Sequence, residues 1–237
     1  MVAYIIVGII AYLIGSISFS VIVSKQMAGF DVREKGSGNA GSTNVLRTVG
    51  KKAALITLIC DILKGVVAIA IAVLVGLMVK SETIDDALLV QIASVAVIIG
   101  HTFPIFFKFK GGKGVATSLG VILILNWKVG LICLIFALSL MILSRIVSLG
   151  SISAAILFAI LAIPFEDGFI IEGNYFVFAL IMAFIVIFNH RTNVKRLING
   201  TENRLSFKKK DKEEKEEKKE EVAEKAEEKT EEKVEEK

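Results

Sequence analysis

Cysteine and histidine are scarce in this chain, with two of each in 237 residues. No spaced Cys/His framework exists, and no cluster of carboxylates or thiols accompanies either histidine. No metal site is indicated, and no cofactor is expected. Cys60 and Cys133 each fall inside an apolar run and read as small core residues rather than a disulfide pair. The first apolar run, Val2–Val23, has no Lys or Arg before it. A secretory leader requires a basic start and a small-residue cleavage site, so this run is expected to stay as a first membrane helix. The chain also shows no internal repeat of the kind that marks many carriers.

What it has in excess is apolar length. Hydrophobic residues make up 54% of the chain, and mean hydropathy is +0.68 although the last thirty residues are almost all Lys and Glu. That excess is concentrated in long runs, which read as transmembrane helices rather than a large soluble core. After Val2–Val23 they cover 53–79, 87–107, 114–125, 129–143, 149–165 and 173–189. The expected fold is all-α, a polytopic membrane helix bundle of about seven spans. Because a crossing takes about 20 residues, 114–125 and 129–143 are short, and five spans result if neither fully crosses. Either count is odd, so the same loops share one face. Those loops hold fourteen Lys and Arg, whereas the opposite loops hold Lys80 and Lys128 beside Glu82, Asp85, Asp86, Glu166, Asp167 and Glu172. The positive-inside rule then places the basic loops and the C-terminus in the cytoplasm and the N-terminus outside.

Charge divides the chain into two expected parts. Residues 208–237 carry eleven Lys against fourteen Asp and Glu, which leaves residues 1–207 at +7. The tail has no Gly, no Pro and almost nothing apolar, so it is expected to be a disordered cytoplasmic appendage to a membrane-embedded domain at 1–207. A basic inner face suits lipid headgroups and phosphorylated substrates, although topology alone also makes inner loops basic. Inside the second apolar run, Asp61 and Lys64 lie three apart on one helical face. They form either a self-neutralising pair or a support for the site.

Three polar segments interrupt the apolar runs on the basic face: Gly36-Ser-Gly-Asn-Ala-Gly-Ser-Thr-Asn44 with Arg47; His101-Thr-Phe-Pro104 leading to Gly111-Gly-Lys-Gly114; and Asn189-His-Arg-Thr-Asn193 with Arg196. The spacing Gly36-x-Gly38-x-x-Gly41 matches a dinucleotide fingerprint, but it follows a membrane helix rather than a strand. Gly112-Lys113 is followed by Gly114 where a P-loop requires Ser or Thr. Neither nucleotide nor nucleic acid is an expected partner. Without Cβ atoms, glycine-rich loops let successive N–H groups converge on an anion, and a helix beginning just after adds its positive end. Ser37, Gly38, Asn39, Ser42, Thr43 and Asn44 would supply donors, and Arg47 and Lys113 charge. Both histidines fall in these segments. His101 reads equally as a structural residue or a substrate contact, whereas His190, in a polar run at a helix end, points to proton transfer or phosphate binding. A carrier for a phosphorylated solute is the alternative class, but carriers spread polar groups through the membrane.

Taken together, the segments resemble the bacterial acyl-phosphate:glycerol-3-phosphate acyltransferases, the PlsY-type membrane family. The matching residues are Gly36-Ser-Gly-Asn39, Gly41-Ser-Thr-Asn44 and Arg47; His101-Thr-Phe-Pro104 and Phe109-Lys-Gly-Gly-Lys-Gly-Val-Ala-Thr117; Phe188-Asn-His-Arg-Thr-Asn193, Arg196-Leu197, Gly200 and Glu202; and Ser144-Arg145 with Ser148-Leu149. The likeness spans about residues 1–205 and omits the tail. It implies transfer of a fatty acyl group from acyl phosphate to the sn-1 hydroxyl of glycerol 3-phosphate, giving lysophosphatidic acid at the cell membrane, with an acyl-phosphate-producing enzyme as functional partner. It implies a glycerol-3-phosphate site at Gly111, Gly112, Lys113 and Gly114. It implies phosphate contacts from Ser37, Arg47, Ser144 and Arg145, and His190 and Asn193 beside the reacting hydroxyl. Glu202 is expected to partner nearby cations. The His-x-x-x-x-Asp motif of other glycerolipid acyltransferases is absent, since Phe106 and Lys195 stand at the required positions. Two proton routes stay open: His190 as base, or a substrate phosphate. A ping-pong route through Ser37 or Ser42 lacks a nucleophile elbow and a triad Asp.

Overall fold

A computed structural model describes residues 1–79, 84–162 and 175–205. The expected tail at 208–237 lies outside the described residues, as does the end of the run 149–165. Ten α-helices follow in order: α1 Val2–Gly15, α2 Phe19–Ala28, α3 Ser42–Thr48, α4 Lys51–Val79, α5 Asp86–Thr102, α6 Val115–Leu125, α7 Trp127–Ser144, α8 Val147–Leu161, α9 Tyr175–Asn189 and α10 Arg191–Ile198. There is no strand among the described residues.

Four stretches are long and apolar enough to cross a membrane: Val2–Ala28, α4, Asp86–Phe107 and α7. A fifth results if α9 and α10, bent by 63°, count as one. Their flanks carry Ile5, Ile9, Leu63, Leu74, Ile135 and Ile142 half or more exposed, which lipid tolerates and water does not.

Two expected boundaries are corrected. The first apolar run is not one helix but breaks at Ser16–Ser18, where the Gly15 and Ile17 carbonyls accept from Lys64 Nζ of α4, both at 3.0 Å, rather than from a continuing helix. The run 129–143 is not short, because the Asn126 side chain accepts from Val129 N–H at 3.2 Å and starts α7 at Trp127, giving 18 residues. The short helices are α6 and α8.

Close packing rests on glycine, as expected where lipid offers no hydrophobic drive between helices. A Cβ at Gly15 of α1 would lie 2.1 Å from Val97 O of α5, and one at Gly100 of α5 would lie 2.2 Å from Tyr12 O. Between α4 and α6 the same holds for Gly120, 2.2 Å from Ile62 O. Inside this frame Ile69, Leu89, Ile98, Leu125, Phe158, Phe178 and Met182 form the apolar core. The three polar segments occupy the α2–α3, α5–α6 and α9–α10 junctions, where they meet around one cavity.

Candidate active site

The first loop builds its own shape. Asn44, only 1% exposed, donates from Nδ2 to Val32 O (2.8 Å) and Lys35 O (3.0 Å), and its Oδ1 accepts from Ser37 N–H (2.9 Å). Its amide thus organises the loop from within. Gly36 turns with φ 62° directly over that amide, where a Cβ would come within 2.3 Å of Asn44 Oδ1. The result leaves Ser37 and Gly38 exposed at the loop's crest and Arg47 half-buried beside it.

Arg33 ties this loop to the second. It forms a fork with Asp31 (Nε to Oδ1 2.9 Å, Nη2 to Oδ2 2.7 Å), and its Nη1 donates to Phe107 O (2.7 Å) and Lys110 O (3.1 Å). The guanidinium beside it holds the Asp31 carboxyl below the usual range, against the opposing effect of burial.

The second loop folds back onto the end of α5. Gly111 N–H donates to Thr102 O and Gly112 N–H to His101 O, both at 3.1 Å. Only glycine fits here: a Cβ at Gly112 would stand 2.2 Å from His101 Nε2 and 2.6 Å from Ala40 O. Lys113 follows, and its Nζ donates to Asn193 Oδ1. Asn189 Nδ2 donates to Thr102 Oγ1 (3.1 Å) and to Lys113 O (3.4 Å), so the third segment clamps the second at two points.

In the third segment, His190 is 3% exposed, and its Nδ1 donates to Val186 O at 2.8 Å. That bond selects the Nδ1–H tautomer and leaves Nε2 as an acceptor in the neutral ring. Asn193 Nδ2 donates to Glu202 Oε1 (2.9 Å), and Arg196 Nε donates to Glu202 Oε2 (3.0 Å). Burial raises the Glu202 carboxyl, but the bonds from Arg196 and Asn193 outweigh it and keep the carboxyl below its ordinary value. Burial lowers Lys113 to about 8; Glu202 opposes this, and Arg196 and Arg47 add to it. Three cations around one carboxylate leave a positive excess suited to an anion.

A cavity of about 970 Å³ joins these parts. Its wall includes Ser37, Gly38, Asn39, Ser42, Thr43, Asn44, Arg47, His101, Gly111, Gly112, Lys113, Gly114, His190 and Asn193. Its other walls are apolar, with Leu58, Ile122, Leu134, Phe158 and Met182. Ser144 and Arg145 do not line it. Ser144 Oγ donates to Leu140 O at 2.6 Å, and exposed Arg145 closes α7 at φ 59°. Val147, Ser148 and Ser151 of α8 reach the cavity instead. Sequence reasoning missed Arg33 as more than a topological charge. The Asp31-x-Arg33 spacing was the available signal, since a carboxylate two residues away can hold a guanidinium fork.

An all-helical membrane bundle whose cationic, glycine-built pocket continues into an apolar slot defines an integral membrane enzyme acting where a charged head and a fatty chain must both be held. Comparison with known proteins agrees and narrows the class. The family model described as Glycerol-3-phosphate acyltransferase matches residues 5–200. The glycerol-3-phosphate acyltransferase of Clostridioides difficile (strain 630) is 44% identical over 210 residues, covering 87% of this chain and 98% of the relative. That of Thermoanaerobacter sp. (strain X514) is 44% identical over 201 residues, covering 85% and 95%. Crystal structures of PlsY (YgiH), an integral membrane glycerol 3-phosphate acyltransferase, are similar in its glycerol 3-phosphate form (TM-score 0.74, 38% identity, 86% of this chain and 96% of that one). The lysophosphatidic acid form gives a TM-score of 0.72 at 37% identity, covering 86% and 95%. This chain belongs to the glycerol-3-phosphate acyltransferase family.

Proposed function

We propose that the chain transfers a fatty acyl group from acyl phosphate to the sn-1 hydroxyl of glycerol 3-phosphate, releasing lysophosphatidic acid and inorganic phosphate. The observation that carries this is the Lys113–Asn193 contact, which draws the second and third polar segments together over a cavity that turns apolar at Ile122, Leu134 and Phe158. Glycerol 3-phosphate binds at Gly111, Gly112, Lys113 and Gly114, where Lys113 and Arg47 answer its charge. The acyl phosphate places its phosphate beside Ser37 and Arg47 and its chain along the apolar wall. Asn44 and Glu202 act by shaping the loops, since their polar atoms already hold protein partners.

The hydroxyl oxygen attacks the acyl carbonyl carbon, the carbon–oxygen bond to phosphate breaks, and the hydroxyl proton passes to a phosphate oxygen. Because phosphate leaves readily from a mixed anhydride, positioning and charge carry more of the catalysis than a strong base. His190, held by Val186 O, presents Nε2 to position the reacting hydroxyl, and Asn193, whose Nδ2 gives one hydrogen to Glu202, supports the developing oxyanion with the other. The site opens to the cytoplasm with the N-terminus outside, in a cell-membrane domain of residues 1–207 that reaches seven spans if α6 and α8 also cross. It draws its donor from an acyl-phosphate-producing enzyme. The charge bias of the loops supports that orientation.

The test uses purified protein in detergent with labelled glycerol 3-phosphate and palmitoyl phosphate, acyl-CoA or acyl carrier protein thioester. Lysophosphatidic acid from acyl phosphate alone is expected. Product from a thioester would overturn the donor, and no product from any donor would overturn the reaction.

A further inference from the structure

Asp61 and Lys64 are charges that the reaction leaves without a role. Both sit on α4, at 2% and 4% exposure, with Lys64 Nζ 3.0 Å from Asp61 Oδ1. The pair is electrostatic rather than aligned, since that oxygen accepts no hydrogen bond. Burying such a pair inside a span costs about as much in desolvation as its attraction returns, so fold stability alone does not explain it. Its outward contacts do. Lys64 Nζ donates to Gly15 O and Ile17 O, both at 3.0 Å, and so caps the break between α1 and α2. The same Asp61 Oδ1 also lies 3.5 Å from His101 Nδ1. His101 is the floor of the second loop: its carbonyl accepts from Gly112 N–H, and its ring fills the space that a Cβ on Gly112 would need. Lys113 is the next residue.

We infer that Asp61 is a positioning residue for the phosphate site. Its carboxylate orients the His101 imidazole electrostatically across 3.5 Å, Gly111 and Gly112 fold onto that platform, and the platform sets where Lys113 reaches the phosphate. Lys64 neutralises the carboxylate and anchors it to the α1–α2 break. The inference rests on the assignment of this loop to glycerol 3-phosphate.

Steady-state kinetics on the purified full-length protein, varying glycerol 3-phosphate and palmitoyl phosphate in turn, provide the test. Asp61→Asn is expected to raise KM for glycerol 3-phosphate by about tenfold while KM for palmitoyl phosphate stays within about twofold, and Asp61→Glu to recover most of the loss. A purely structural role would reduce the active fraction, lowering apparent kcat with both KM values unchanged, and that outcome would overturn the inference. The double variant Asp61→Asn/Lys64→Met buries no unpaired charge and is the one to use if the single variant fails to fold. It should keep the raised KM, whereas a return to the parent value would assign the defect to unpaired Lys64 and overturn the role given to Asp61. Failure of the underlying reading is distinct, because the parent protein would then form no lysophosphatidic acid at all.

Discussion

Lys113 Nζ donates a hydrogen bond to Asn193 Oδ1 across eighty residues of sequence, and Asn193 passes its other end to Glu202. The contact makes the second loop and α10 one unit. Lys113→Met removes a charge from the phosphate site and leaves the Asn193 carbonyl without its donor. Removing one partner of a charged hydrogen bond costs about 2–5 kcal/mol, so kcat/KM for glycerol 3-phosphate should fall by at least about thirtyfold. An isotopic lysophosphatidic acid assay measures it, and a variant within twofold of the parent would remove Lys113 from the site.

Protonation of the same lysine sets the alkaline limit. Burial, joined by Arg196 and Arg47 against Glu202, brings Lys113 to about 8. The ammonium is therefore present below about 8 and is lost as pH rises through that value. The profile of kcat/KM for glycerol 3-phosphate should decline above about pH 8, reporting the free enzyme, while kcat declines at higher pH because bound phosphate favours the ammonium. A flat profile between pH 7 and 9.5 would contradict this assignment.

His190 offers a test of the proton route. With Nδ1 committed to Val186 O and proton acceptance assigned to substrate phosphate, His190→Gln should lower kcat by about tenfold to a hundredfold, short of the 10²–10⁴ that general-base catalysis typically contributes. Near-parent turnover would exclude any essential role, and a loss well beyond about a hundredfold, within or above the general-base range, would favour His190 as base.

Arg33 touches no proposed substrate group but holds the two loops together through Phe107 O and Lys110 O. Arg33→Ala should cost about 1.5–3 kcal/mol, as bonds to charged groups do, visible as a lower thermal midpoint in detergent. Arg33→Lys should recover little, because an ammonium cannot reproduce the fork to Asp31. An unchanged midpoint in both variants would show that the loops are held otherwise.

Gly120→Val tests the α4–α6 contact. A Cβ there meets Ile62 O at 2.2 Å, and backbone cannot move aside as a side chain can. Overpacking of this kind costs about 1–3 kcal/mol or more, so the thermal midpoint in detergent should fall, and an unchanged midpoint would show that the two helices can part at this position.

Much of this protein was legible before any coordinates. The apolar runs gave helices because span length and hydropathy are local properties, and the three polar segments stood out because polar residues elsewhere in the runs, such as Asp61, Lys64 and Ser94, are scattered rather than clustered with glycine and cations. Boundaries were less legible. The break at Ser16–Ser18 has its free carbonyls met by Lys64, almost fifty residues away, and the start of α7 depends on the side chain of Asn126.

By itself, the sequence determined the class of molecule, the glycine-built loops and the residues able to meet phosphate, since composition and close spacing carry that information. Tertiary structure alone decided which of them meet. His101 faces Asp61 and Arg33 faces Phe107 O because helices that approach at Gly15, Gly100 and Gly120 fix partners forty or more residues apart. Ser144 and Arg145 fall outside the cavity because α7 ends with Arg145 turned at positive φ, leaving Ser148 and Ser151 of α8 to line it. No local pattern encodes such pairings; they follow from the angles and distances at which the helices pack.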